Sequence, residues 1–159
     1  MPSKLSRSLK AVRRAGPAGC LAALEAAAWL GIARLMVVAV PFRTLSRFLT
    51  RPIPDSPRTE LARTDSARRV GWAVNAAGRR APWRCKCLER AIAAKLMLRL
   101  RGHGSTLFLG VARPETGAPV QAHAWLRCAA LPVVGEEGSP LPYSVVARFA
   151  DPVGGSRRA

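Results

Sequence analysis

Two cysteines and one histidine supply the residue types in this chain that suit nucleophilic chemistry. Residues 82–104, "PWRCKCLERAIAAKLMLRLRGHG", place Cys85 and Cys87 where a helix is predicted to begin. A thiol in the first turn of a helix lies beside N–H groups that have no intrahelical partner and beside the positive end of the helix dipole, and both stabilise a thiolate. Cys87 is therefore a candidate nucleophile, and its own N–H is placed to stabilise an oxyanion. His123, inside the strand-like segment "VQAHAWLRC", is the candidate base.

The cysteines have two other uses, which the sequence disfavours. A metal site needs about four ligands, and the available ones are Cys85, Cys87, Cys128, His103 and His123. However, His123 and Cys128 lie five residues apart on one predicted strand and so point to opposite faces of the sheet. A disulfide between Cys85 and Cys87 would be strained, and four scattered cysteines are few for a disulfide framework. We therefore predict a reduced, cytoplasmic chain that holds no metal and no cofactor of its own.

Hydrophobic periodicity predicts the elements that must hold these residues. Apolar spacing predicts a helix over residues 87–101, and the small residues on its Cys87 stripe permit close packing on a sheet. Three strands are predicted over residues 105–113, 120–128 and 143–150. The predicted fold class is α+β, with N-terminal helices before a helix that packs on a small antiparallel sheet.

Two regions are expected along the chain. Residues 1–58 hold an apolar helix and a linker that contains Pro52, Pro54 and Pro57. Residues 59–159 begin with a second helix over 59–77 and contain both the predicted nucleophile helix and the predicted sheet. The chemistry is therefore expected in the second region.

An apolar run and a strong positive charge limit the remaining classes. Residues 17–42 are long enough to span a membrane, but Glu25 and Arg34 interrupt them, and a charge at the centre of a span costs about 2.5–3.5 kcal/mol. We expect a largely buried amphipathic helix, and peripheral contact with anionic lipid stays open. The chain has 26 Lys and Arg against 9 Asp and Glu, a formal charge of +17. No aromatic platform accompanies the cations, which disfavours nucleic acid as a partner.

Several linked motifs resemble one known family, the lasso-peptide leader peptidases, transglutaminase-like proteases also known from microcin processing. "PWRCKCL" is similar to the family's Pro-Trp-x-x-x-Cys-Leu, an Arg-Gly turn and a Gly-Val strand follow, and "AHAWL" is similar to its Ala-His-Ala-Trp element. The matching residues are Pro82, Trp83, Cys87, Leu88, Arg101, Gly102, Gly110, Val111, Ala122, His123, Ala124 and Trp125. The resemblance covers residues 80–128 and continues more loosely through "VVARFA".

The resemblance implies a papain-like core with Cys87 as nucleophile and His123 as base. It implies a peptidase that removes the leader from a ribosomally made precursor. The implied partners are the precursor's leader, a leader-recognition protein and an ATP-dependent lasso cyclase. ATP would be used by the assembled complex, because this chain has no Gly-rich phosphate-binding loop. A different class stays open, namely a catalytically impaired scaffold that binds the precursor or the cyclase without cleaving.

The chain departs from this family at the residue that orients the histidine. The family places an aspartate about a dozen residues after the histidine, whereas this chain has "VVGEEG" there. If residues 120–128 and 131–137 form a hairpin, Cys128 pairs with Leu131. In that register His123 falls opposite Glu136, which makes Glu136 the predicted third member of the site. Asp151 is the alternative acid, and a backbone carbonyl that orients His123 is a third option.

Overall fold

Helices come first along the chain and a sheet follows, as the α+β prediction requires. The computed structural model describes residues 16–50, 53–54, 60–113, 119–136, 142–151 and 153–154. Within these residues the helices are α1 (Gly16–Ala39), α2 (Phe42–Leu49), α3 (Glu60–Gly78) and α4 (Cys87–Leu100). The strands are β1 (Ile53–Pro54), β2 (Thr106–Ala112), β3 (Gln121–Cys128), β4 (Leu131–Val134), β5 (Ser144–Ala150) and β6 (Val153–Gly154). The predicted fold class is confirmed.

The main sheet is antiparallel and has the order β4-β3-β2-β5. Strands β1 and β6 form a separate parallel pair. In β3, the buried residues Ala124, Leu126 and Cys128 alternate with His123 and Trp125. One face of the sheet therefore joins the core, and the other carries His123.

Helix α4 lies at the centre of the molecule, between the sheet and the helices α1 and α3. Every residue from 91 to 98 is buried, because both sides of the helix are covered. The helix ends where Gly102 adopts a φ of 69° and the His103 N–H donates to the Leu98 carbonyl. The predicted start of this helix at Cys87 is confirmed, and its end differs from the predicted one by a single residue.

A buried ion-pair cluster fixes the carboxyl end of α4 to the sheet. The Lys95 ammonium lies 2.9 Å from the Asp151 carboxylate and donates to the carbonyls of Ser105 and Phe149. Arg99 contacts the other Asp151 oxygen at 2.5 Å. Because Ser105 and Asp151 flank the adjacent ends of β2 and β5, this cluster sets the position of α4 along the strands.

Helix α1 is less buried than the sequence predicts. One face of small and apolar residues packs on α3 and α4, through Ala22, Ala26, Leu30 and Ala33. The opposite face is apolar and exposed, with Leu21, Leu24, Ile32, Leu35 and Val38 all at least 41% accessible. The prediction of a largely buried helix is therefore wrong, because the sheet covers the far side of α4 and no described element covers the outer face of α1.

The two charges that interrupt this apolar helix both form ion pairs with residues at the two ends of α4. Glu25 contacts Arg101 at 2.5 Å, and Arg34 contacts the buried Glu89 at 2.9 Å. By length and composition alone, α1 is able to cross a membrane. The predicted region boundary at residue 58, together with Pro52 and Pro57, lies outside the described residues.

Candidate active site

Cys87 is the first residue of α4 and is half-buried beside a cavity of about 700 Å³. Lys86 caps the helix, and its N–H donates to the Glu89 carboxylate at 3.3 Å. Cys87 therefore lies in the first turn of α4, as the sequence predicts, and its role as nucleophile stays a prediction.

The other cysteines have environments that disfavour a thiolate. Burial raises the pKa of the Cys85 thiol, and the nearby Glu89 carboxylate raises it further, against smaller effects of Arg90 and Arg34. Burial also raises the pKa of Cys128, whose thiol donates to the Gly104 carbonyl at 3.3 Å. All four cysteines are free thiols. Among the three thiols of the second region, only Cys87 occupies a helix N-terminus.

His123 lies in β3 opposite Gly110 of β2, and a backbone carbonyl holds its ring. Its Nε2 is 2.5 Å from the Gly135 carbonyl oxygen. Because a carbonyl only accepts, Nε2 is the donor in this hydrogen bond, and in the neutral ring the lone pair is then on Nδ1. The ring also packs on Tyr143, with the ring centroids 5.0 Å apart.

Gly110 is required by the aromatic residues around His123. A Cβ atom at position 110 would lie 2.8 Å from the indole ring of Trp125 and 3.0 Å from the Tyr143 Cβ. The Gly110 position of the motif is therefore explained by close packing across the sheet. Trp125 and Tyr143 therefore pack beside His123 on one face of the sheet.

Glu136 does not contact His123 in the structure. The hairpin turns where the sequence predicts, and the pairing of Cys128 with Leu131 is confirmed. A bulge then shifts the register by one residue, so that Leu126 pairs with Val134. The predicted position of Glu136 opposite His123 is therefore wrong, and both Glu136 oxygens instead bind Arg127. A catalytic role for Glu136 stays a prediction.

Asp151 is distant from His123 along the sheet. It follows Ala150, which pairs with Thr106, whereas His123 pairs with Gly110. Four residues of β2 separate these two positions, a strand length of roughly 13 Å. Asp151 is held by Lys95 and Arg99, so the structure assigns it to the buried cluster and not to the imidazole.

Cys87 and His123 lie on elements that pack directly on each other, since α4 contacts β3. Within the described part of the chain, no hydrogen bond joins the Cys87 thiol to the His123 ring. His123 lies on the face of β3 opposite the buried face that carries Ala124, Leu126 and Cys128, so the structure does not bring its ring into contact with the Cys87 thiol.

The carbonyl that orients His123 could not be numbered from the sequence, and the buried Lys95 was not predicted. Gly135 can be identified as the residue that holds His123 only once the bulge is known, and no sequence pattern predicts that bulge. Lys95, by contrast, is the single charged residue in the run "AIAAKLML", and that position inside an apolar helix is a signal for a buried ion pair. Across the described residues, no three His, Cys, Asp or Glu side chains are grouped as metal ligands would be.

Comparison with known proteins gives one match. A family model described as the transglutaminase-like superfamily matches residues 32–148, a span that includes Cys87, His123 and Glu136 and excludes Asp151. Searches of curated proteins and of solved structures find no match.

Proposed function

Because the chain belongs to the transglutaminase-like superfamily, which includes cysteine peptidases, we propose that it is a cysteine peptidase that removes the leader from a lasso-peptide precursor. The observation that carries the proposal is the position of Cys87 at the start of the central helix, beside a cavity wide enough for a peptide. The fixed tautomer of His123 supports it, since Nδ1 is left as the base.

The reaction uses the two residues in turn. His123 takes the thiol proton of Cys87 at Nδ1, and the resulting thiolate attacks the carbonyl carbon at the end of the leader, so that a C–S bond forms as the carbonyl electrons move to oxygen. The oxyanion then collapses, the C–N bond breaks, and His123 gives its proton to the departing amine. His123 next takes a proton from water, which attacks the thioester and releases the leader carboxylate and the Cys87 thiol.

The finer assignment to lasso peptides rests on the motifs "PWRCKCL" and "AHAWL". On that assignment, a leader-recognition protein delivers the precursor, and an ATP-dependent cyclase consumes the released core. This chain contributes the peptidase alone, and it acts in the cytoplasm.

A precursor cleavage assay tests the proposal. The precursor from the neighbouring genes is incubated with this protein and its recognition partner, and the products are measured by mass spectrometry. We expect leader and core masses with wild type and with Cys85→Ala, and intact precursor with Cys87→Ala. Cleavage that persists in Cys87→Ala would exclude Cys87 as the nucleophile.

A non-catalytic scaffold is the second candidate, and two observations favour it. No acid contacts His123, and no hydrogen bond joins its ring to Cys87 among the described residues. A scaffold would bind the leader in the same assay and leave the precursor intact. Wild-type cleavage above the Cys87→Ala background excludes this candidate.

We also propose that α1 contacts an anionic membrane surface from the cytoplasmic side. Its exposed face is apolar, and the fifteen residues before it carry five cations and no acid: Lys4, Arg7, Lys10, Arg13 and Arg14. An apolar helix face with basic flanks is typical of helices that lie in the membrane interface. Sedimentation with vesicles that contain anionic lipid tests this contact.

A further inference from the structure

Two cavities adjoin each other at the start of α4. The first is the cavity of about 700 Å³ beside Cys87, called here the cysteine cavity, which is lined by Arg79, Arg84, Lys86 and Arg90 among others. The second, called here the apolar pocket, has about 560 Å³ and is lined mainly by aliphatic side chains of α1, including Leu24, Ala27 and Leu30. Ala81 and Trp83 line both, so the two cavities are neighbours across the Trp83 indole.

The cysteine cavity presents cations without counterions. Within the described residues, none of its four basic side chains forms an ion pair. The buried Glu89 carboxylate nearby binds the Arg34 guanidinium and the Lys86 backbone N–H. The Arg90 Nε is buried and lacks a hydrogen-bond acceptor among the described groups. The cations that a bound carboxylate can reach are therefore the exposed side chains of Arg79, Arg84 and Lys86.

The apolar pocket complements this charge with hydrophobic surface. Its volume falls within the range of small-ligand sites and accommodates a large aliphatic or aromatic side chain. A polyanion such as nucleic acid would use the cations and leave this pocket without a role. A peptide can use both, because one peptide can carry acidic side chains and an apolar side chain at neighbouring positions.

We infer that the two cavities are adjacent subsites for one peptide, in which acidic side chains lie at the cysteine cavity and a large apolar side chain fills the apolar pocket. This inference rests on the proposed peptidase function and names its substrate class. The cysteine cavity contains Cys87, so the acidic residues of the peptide lie next to the bond that is cleaved. The apolar residue lies beyond Trp83, and its burial anchors the peptide.

A binding experiment tests the substrate class separately from cleavage. The Cys87→Ala protein is titrated into fluorescein-labelled peptides on a Gly-Ser background, and Kd is measured by fluorescence anisotropy. The peptides carry either three Glu or three Gln, next to either Leu or Gly, in both sequence orders. We expect the Glu and Leu peptide to bind about tenfold more tightly than its Gln or Gly counterparts.

Matched variants assign each preference to its cavity. The double variant Arg79→Gln with Arg84→Gln should reduce the preference for Glu peptides to about twofold. The control, Arg43→Gln with Arg47→Gln, removes the same charge at exposed positions of α2 and should leave the preference intact. Ala27→Trp should fill the apolar pocket and remove the Leu preference. Ala28→Trp, at the exposed neighbouring position outside the pocket, should leave it intact.

The outcomes separate the substrate class from the peptidase function. Equal binding of Glu and Gln peptides would refute the cysteine cavity as a site for acidic side chains, even if wild type cleaves its precursor. Equal tightness for a dT oligonucleotide, with no effect of Ala27→Trp, overturns the peptide class in favour of a polyanion. Selective binding by Cys87→Ala without precursor cleavage by wild type supports the subsites and overturns the peptidase.

Discussion

The orienting partner of His123 is a backbone carbonyl, where the resembling family has a carboxylate. The Gly135 carbonyl fixes the ring and its tautomer through one hydrogen bond. A neutral carbonyl offsets less of the charge on an imidazolium than a carboxylate does, so we expect slower proton transfer than in a site with an aspartate. Gly135 therefore orients the His123 ring, but no carboxylate contacts the ring among the described residues to compensate the charge of its imidazolium form.

Gly135→Ala tests that role. Gly135 has a φ of 90°, and a Cβ atom there would lie 2.6 Å from the Ala124 carbonyl oxygen, so the carbonyl that holds His123 must move. We expect a loss of roughly 2 kcal/mol of stability and a His123 ring that no longer stays in the Nε2–H tautomer. The chain has two histidines, so ¹⁵N chemical shifts of labelled histidine report the tautomer directly.

Gly16→Ala is the matched control for this prediction. Gly16 also has a positive φ, 67°, but nothing lies within 4 Å of its Cβ position. We expect it to cost about 1 kcal/mol and to leave the His123 tautomer unchanged. An unchanged tautomer in Gly135→Ala as well would show that the carbonyl does not orient the ring.

Thiol alkylation distinguishes Cys87 from its neighbours. Burial raises the pKa of Cys85 and of Cys128, so at neutral pH both thiols are mostly protonated and react slowly. We predict that iodoacetamide modifies Cys87 first, at a rate about tenfold or more above that of Cys85. Trypsin cuts after Lys86, so peptide mass spectrometry separates the two sites. Equal rates would remove the chemical distinction between them.

At the scale of elements, the site depends on how α4 is placed against the sheet. The carboxyl end of α4 is fixed by the buried cluster of Lys95, Arg99 and Asp151. Cys87 lies eight residues before Lys95, a helix length of roughly 12 Å. The cluster therefore positions Cys87, the proposed nucleophile, from a distance, so loss of the cluster should affect the site through packing and not through the chemistry.

The buried lysine predicts a pH dependence of stability. Burial lowers the pKa of Lys95 to about 8, although Asp151 opposes the effect, whereas the unfolded value is 10.5. Between these two values the unfolded chain binds more protons, so stability from this group rises with pH. We predict that the free energy of unfolding of wild type, measured with urea, rises by up to roughly 3 kcal/mol relative to that of Lys95→Met between pH 8 and 10.5.

The exposed Lys86→Met is the control for the lysine effect. The free energy of unfolding of Lys86→Met should differ from that of wild type by a constant amount over the same pH range, because Lys86 is exposed in the folded chain. A constant difference for Lys95→Met as well would mean that Lys95 keeps its ordinary pKa in the folded protein.

Periodicity and turn residues predicted the elements, but not the detail of their contacts. The start of α4 at Cys87 and the pairing of Cys128 with Leu131 follow from local patterns, and both are confirmed. The bulge that moves Glu136 away from His123 depends on how β4 packs, which single-strand alternation does not encode. The exposed outer face of α1 was missed for a similar reason, because apolarity alone does not say which face meets a neighbour.

At the scale of the whole molecule, several of the nine acidic side chains form ion pairs in the described part of the chain. Glu25, Glu89, Glu136 and Asp151 each pair with an arginine or a lysine. The formal charge of +17 results from 26 Lys and Arg against 9 Asp and Glu. Such a charge attracts acidic partners over about a Debye length, whether peptide or lipid surface.

The exposed face of α1 predicts binding to anionic vesicles. Leu35→Glu with Val38→Glu places two charges on that face and should reduce the bound fraction about fivefold or more in co-sedimentation. Leu61→Glu with Val146→Glu makes the same charge change at exposed positions elsewhere and should have a small effect. Equal reduction by both pairs would assign binding to net charge, and no binding by wild type would contradict the proposed contact.

The central claim is that Cys87 forms a covalent acyl intermediate with its peptide, and trapping this intermediate tests the claim most directly. Wild type is mixed with excess precursor and recognition partner, quenched in acid within one turnover, and mapped by tandem mass spectrometry. The account predicts the leader mass joined as a thioester to the Cys87 sulfur, with none on Cys85 and none on any residue of Cys87→Ala. Precursor cleavage without an adduct on Cys87, or an adduct on Cys85 instead, would contradict it.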